Sequence, residues 1–200
     1  NIQQATARQD YFTPSDAWCE TLAWVKDNTP EDSFILSWWD YGYWILRMAD
    51  REVYVDPCQS KGPVTKVAKM FTSPYQGERE IEADYLILDH STVTSKFWAI
   101  VTWAGEEPSE FYAPAGFDRK LIYHPEYYQC LAVHLYNFDG KAVSPGNDIL
   151  IGTNPFISPV PLEAVEGYTL VYESRQKIKG LVAARRRTLV SPIKSGCSFL

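Results

Sequence analysis

The chain has 200 residues, 46% of them hydrophobic, with 19 Lys or Arg against 25 Asp or Glu and a formal net charge of −6. That balance excludes a disordered chain and argues against a nucleic-acid partner, which would call for a basic face. The length suits one domain, and no apolar run reaches the roughly 18–20 residues that span a bilayer.

The opening Asn1-Ile2-Gln3-Gln4 is polar and carries neither a leader pattern nor an initiator Met, so the chain is expected to be an excised or processed piece. A first helix is predicted from Thr13 as N-cap, Pro14 at the first position and Asp16 in the first turn. Trp18, Leu22 and Val25 recur at helical spacing as its core face, and Thr29-Pro30 ends it. Ser33 to Trp38 reads as a buried strand, Tyr43 to Met48 as helical, and Val53 to Val55 as a second strand. A helix over Val64 to Phe71 stops at Ser73-Pro74. Asp84 to Asp89 reads as a buried strand, and Thr94 to Trp103 as a helix ended by Gly105. Pro125 to Tyr136 follows as one helix, and Phe138-Asp139-Gly140 turns the chain.

Beyond residue 141 the β-rich stretches Tyr168 to Tyr172, Gly180 to Ala184 and Thr188 to Val190 appear among frequent Pro and Gly. The expected fold is mixed α/β: a partly parallel sheet flanked by helices over 1–140, with a smaller β-rich segment over 141–200 packed on it. Cys19, Cys58, Cys130 and Cys197 form no CxxC pattern, which argues against a zinc site. Their even number permits up to two disulfides outside the cytosol, with free buried thiols as the alternative.

The unusual segment is Trp38-Trp39-Asp40-Tyr41-Gly42. An Asp set among aromatics is partly desolvated and needs hydrogen-bond partners or a cation. The two indoles only donate and ionised Asp40 only accepts. Together they suit a small group that does both, as a Ser or Thr hydroxyl does. Their place at the C-terminal end of a strand is a common ligand position in α/β sheets. The alternative is a structural corner, with the Trp in the core and Asp40 capping the next helix.

Trp38 to Gly42 is identical to the WWDYG signature of oligosaccharyltransferase catalytic subunits. The flanks are similar too: Thr29-Pro30, Ser33 to Ser37, Asp50 to Asp56, Asp84 to Asp89 and His134 to Gly140 resemble the family, and Gly167 to Ser174 resembles its archaeal members. The likeness covers about residues 12 to 175. It implies the C-terminal globular domain of a membrane enzyme that moves an oligosaccharide from a lipid carrier to the Asn amide of Asn-X-Ser/Thr sequons. In that family the motif reads the +2 hydroxyl, a role that would fall here to Trp38, Trp39 and Asp40. Tyr41 and Gly42 would be structural, Gly42 giving backbone room or a positive φ.

A second family element, Asp-x-x-Lys-x-x-x-Met/Ile, is matched in part by Lys96 and Ile100, with Val93 where Asp is expected. A Met-x-x-Ile form also exists, and an Ile100-x-x-Trp103 register stays open. In that element Ile100 would touch the Thr methyl and Lys96 would pair with a carboxylate; the alternative is an ordinary amphipathic helix with an exposed Lys and a core Ile. The resemblance also implies a divalent cation, Mn or Mg, and catalytic groups in the full-length enzyme's membrane region, with no catalytic residue, bound cofactor or isolated activity in this chain. The expected partners are the acceptor polypeptide and, through that membrane region, the lipid-linked oligosaccharide. The expected location is the cell membrane with this domain on the extracytosolic side. A carbohydrate-binding module stacking sugars on Trp38, Trp39 and Trp44 is one alternative. A glycoside hydrolase using Asp40 and Asp56 is another.

Overall fold

The computed structural model describes residues 13–74, 81–115, 120–145, 152–175 and 189–192. Helix α1 (Asp16–Asn28) buries Trp18, Leu22 and Val25, the face that the spacing predicts. Its N-cap is Ser15, two residues later than expected, because the Ser15 hydroxyl accepts from the Trp18 amide. Thr29 caps the other end as foreseen.

Strand β1 (Phe34–Leu36) sits between β2 (Glu52–Val53) and β3 (Tyr85–Leu88), parallel to both. Ile35, Leu36, Leu86, Ile87 and Leu88 are all buried, as continuous apolar runs in a covered parallel sheet should be. Beyond β3 the sheet continues with β7 (Leu189–Pro192), antiparallel to β3, and β6 (Tyr172–Glu173), antiparallel to β7, in the order β2-β1-β3-β7-β6. The expected strand over Gly180 to Ala184 lies outside the described residues.

Helix α3 (Lys61–Thr72) packs against α5 (Phe97–Ala104), which buries Phe97, Ile100, Val101 and Ala104 and stops at Gly105 with φ +83°. The helix expected over Thr94 to Trp103 is present but begins three residues later, at Phe97. A short α4 (His90–Val93) precedes α5, because Asp89 caps it and Thr94 leaves helical geometry. Between β1 and β2 run a 3₁₀ turn (Trp39–Tyr41), the short α2 (Gly42–Trp44) and a π-helical stretch (Ile45–Ala49) that ends at Asp50 with φ +56°.

The helix expected over Pro125 to Tyr136 is split into α7 (Pro125–Gln129) and α8 (Leu131–Phe138). The break is at Cys130, in extended geometry, where the backbone bridges Pro74 and the Leu131 amide donates to Ser73 O at 3.0 Å. That tertiary pairing outweighs continued helix. Ahead of α7, a helical turn α6 (Pro108–Phe111) and an antiparallel pair, β4 (Tyr112–Ala115) and β5 (Lys120–Tyr123), have no counterpart in the sequence reading. The Asp139-Gly140 turn is present, with φ of +56° and +68°.

Arg51 anchors the α1–π-helix junction. It is 5% exposed and donates to Lys26 O, Thr29 O, Thr29 Oγ1, Ala49 O and Asp50 O at 2.7–3.0 Å. Its fork thereby satisfies carbonyls that helix ends leave open. Cys19, Cys58 and Cys130 are free thiols, and Cys197 lies outside the described residues. Among the described residues no helix is long and apolar enough to cross a membrane.

Candidate functional site

Because β1 and β3 are parallel neighbours, the residues that follow them emerge at the same edge of the sheet. Trp38 to Gly42 follows β1, and Asp89 follows β3; Ser37 Oγ donates to Ile87 O at 2.9 Å and ties the two ends together. This carboxyl edge is where open α/β sheets place ligands.

The 3₁₀ turn beginning at Trp39 lets the tandem indoles converge. Their ring centroids are 6.2 Å apart and tilted by 47°, where an extended strand would send them to opposite faces. Trp38 is 1% exposed and packs near Phe71. Trp39 is half-buried, and its buried Nε1 has no hydrogen-bond partner among the described residues. An unpaired buried donor costs about 1–3 kcal/mol.

Asp40 does not cap the next helix: Tyr41 occupies the N-cap of α2, and no side chain caps it. Asp40 Oδ2 instead meets Lys96 Nζ at 3.2 Å, each side chain 30% exposed. Lys96 also sits 4.1 Å from the centroid of the Tyr41 ring, a cation–π contact. The pairing of Lys96 with a carboxylate, expected from the partial second element, is thus present. Lys96 stands at the N-cap of α5 and its carbonyl accepts from the Ile100 amide at 3.1 Å. Ile100 has no exposed surface, so it lines the core behind the site.

Tyr41 is 3% exposed, stacks on Trp18 at 4.3 Å and donates to Asp89 Oδ2 at 2.7 Å. Burial, reinforced by the Asp89 carboxylate, pushes the Tyr41 phenol far above its usual range, so the hydroxyl stays a donor. Gly42 has φ −53°, so positive φ is not its reason. A Cβ there would meet Asp56 Cα and Val55 O at 2.7 Å. Backbone room is what this position requires.

Asp89 is the residue that sequence reasoning missed. Its Oδ2 accepts from Tyr41 and, at 3.2 Å, from Trp18 Nε1; its Oδ1 accepts from the Thr92 amide at 2.8 Å and the Thr92 hydroxyl at 2.7 Å. The available signal was an acid directly after a buried strand, at a helix N-cap. Val93, where the second element's Asp is expected, is fully buried among apolar residues. Asp56 Oδ1 accepts from the Cys58 amide at 2.8 Å. Among the described residues no three His, Cys, Asp or Glu side chains come together as a metal site.

Residues 31–87 match the family described as the STT3/PglB/AglB core domain. Over 119 residues the chain is 34% identical to the dolichyl-diphosphooligosaccharide–protein glycosyltransferase subunit stt3 of Schizosaccharomyces pombe, covering 50% of this chain and 16% of that protein. The chain therefore spans a small part of such relatives. Its fold matches the C-terminal globular domain of an oligosaccharyltransferase from Archaeoglobus fulgidus, with a TM-score of 0.54 at 20% identity over 91% of this chain and 99% of that one. Another A. fulgidus oligosaccharyltransferase matches with TM-scores of 0.58 and 0.56, each at 20% identity over 80% of this chain. It has been solved with Zn and sulfate (25% of that chain covered) and tethered to an acceptor peptide containing the NVT sequon (24% covered).

Proposed function

We propose that this chain, which carries the STT3/PglB/AglB core domain, is the acceptor-reading part of a membrane oligosaccharyltransferase that transfers a lipid-linked oligosaccharide to the Asn amide of Asn-X-Ser/Thr sequons. The observation that carries the reading is an unsatisfied donor, Trp39 Nε1, one residue from a partly exposed acceptor, Asp40, which Lys96 holds by one oxygen. A +2 hydroxyl accepts from the indole and donates to the carboxylate, satisfying both. An Ala at +2 leaves the indole N–H unpaired and Asp40 with Lys96 alone, and that difference is the source of selectivity. The tethered NVT peptide on the A. fulgidus enzyme supports a peptide acceptor.

In this reading Trp38 packs behind Trp39, Lys96 holds Asp40 in place, and Tyr41 and Gly42 shape the turn. Ile100, buried as it stands, reaches a Thr methyl only when its cover moves; until then it backs the site. Fixing the acceptor at +2 lowers the entropic cost of the transfer step.

A divalent cation, Mn or Mg, belongs to the full-length enzyme in this reading, and the Zn held by the A. fulgidus relative supports a divalent metal there. The described residues do not fit it, so no step of the chemistry is assigned to them. The catalytic groups, the lipid-linked donor site and the membrane anchorage are assigned to the rest of the enzyme, with this part on the extracytosolic side.

The test is glycosylation of Asn-X-Thr and Asn-X-Ala peptides by membranes carrying the intact enzyme, with and without Asp40→Ala. Loss of most activity toward the Thr peptide by a folded variant supports the reading. Full activity and unchanged selectivity overturn it.

A further inference from the structure

The helical run that starts in the motif continues past it. The 3₁₀ turn (Trp39–Tyr41), α2 (Gly42–Trp44) and the π-helical stretch (Ile45–Ala49) join end to end: the Gly42 amide donates to Trp39 O and the Ile45 amide to Gly42 O. Tyr41, Gly42, Ile45 and Ala49 take its buried side. On the other side Tyr43 is 48% and Leu46 39% exposed; of the five large hydrophobic side chains exposed among the described residues, two stand on this run. A π-helical turn is rare and is frequently found at functional sites. The Tyr43 hydroxyl lies 3.3 Å from Cys58 Sγ, and Asp56 Oδ1 fixes that loop by accepting from the Cys58 amide at 2.8 Å. The Tyr43 ring is thus held at its tip while much of it faces solvent.

Asp40 and Tyr43 are three residues apart on the run, a spacing that makes them neighbours with Cβ atoms about 5–6 Å apart. An extended peptide advances about 3.3 Å per residue, so one or two of its residues cover that interval. With the +2 hydroxyl on Asp40, the target Asn must point to the catalytic groups in the rest of the enzyme. The stretch left to cross this surface is the one beyond +2. We infer that Tyr43, with Leu46 one turn on, forms an apolar subsite for the acceptor side chain at +3 or +4, and so favours sequons followed by an apolar residue. The inference rests on the acceptor-reading role proposed above. The acceptor is the occupant because the exposed patch continues directly from the +2 position along one helical run.

The experiment measures KM and kcat with the intact enzyme in membranes for three Asn-X-Thr peptides that carry Leu, Gly or Asp at both +3 and +4. The unaltered enzyme is compared with Tyr43→Ala and Tyr43→Phe. The unaltered enzyme is expected to show a KM about fivefold lower for the Leu peptide than for the Gly or Asp peptide. Tyr43→Ala brings that ratio close to one. Tyr43→Phe keeps it, because the ring and not the hydroxyl makes the contact. A merely structural role for Tyr43 changes the constants by the same factor for all three peptides and leaves the ratio intact; that result overturns the inference, as does an unaltered enzyme without the preference. Should Tyr43→Ala not fold, Tyr43→Gln, which keeps bulk without the ring, decides by the same ratio. Asp40→Ala separates the two readings. If it leaves KM unchanged for every peptide, the acceptor-reading role itself fails. If it raises KM while Tyr43→Ala leaves the ratio as it was, only the inference about Tyr43 fails.

Discussion

Lys96 Nζ stands 3.2 Å from Asp40 Oδ2 and 4.1 Å above the Tyr41 ring, so one ammonium is shared by two consecutive residues of the motif turn. The pair is partly solvated, and its contribution to folding is accordingly small. In the acceptor-reading role proposed above, the pair orients Asp40. Lys96→Met is expected to change unfolding free energy by less than about 1 kcal/mol while weakening acceptor binding several-fold, roughly 1 kcal/mol. Chemical denaturation beside peptide KM separates the two effects.

Trp39→Phe removes an N–H that has no partner among the described residues. Stability should therefore fall by no more than the ring volume lost, on the order of 1 kcal/mol, since the unsatisfied donor goes too. Activity toward an Asn-X-Thr peptide should fall much further. A variant with full activity would show that the indole N–H is not used.

Gly42→Ala places a methyl 2.7 Å from Asp56 Cα and Val55 O. Both are backbone atoms and cannot swing aside. The expected cost is about 1–3 kcal/mol, read as a lower denaturation midpoint.

Arg51→Met strips five hydrogen bonds from buried or partly buried acceptors. A loss of about 3 kcal/mol or more is expected. Arg51→Lys should recover little, because one ammonium cannot reproduce the planar fork.

His134 is buried, with Nε2 2.9 Å from Lys141 O, and burial lowers its pKa below the usual histidine value. Below pH about 6.5 the unfolded chain takes up a proton that the folded one resists. Its contribution is therefore full above that pH and is lost as pH falls toward the folded pKa. Denaturation at pH 7.5 and 5 should show a smaller decline for His134→Gln than for the unaltered protein.

Local chemistry made much of this protein legible in its sequence. The core face of α1, the buried strands β1 and β3, the Gly105 stop and the Asp139-Gly140 turn each rest on periodicity or backbone preference within a few residues. The motif's donor–acceptor logic was legible for the same reason, since Trp and Asp carry their hydrogen-bonding character anywhere. What only the tertiary structure decided depends on partners distant in sequence. Cys130 breaks a helix because it meets Pro74, and Gly42 is needed because Val55 and Asp56 cross it, not for positive φ. Asp89 reaches Tyr41 from 48 residues away because β1 and β3 lie parallel and deliver their carboxyl ends to one edge. Periodicity along a chain cannot report an approach of that kind; the packing of the sheet creates it.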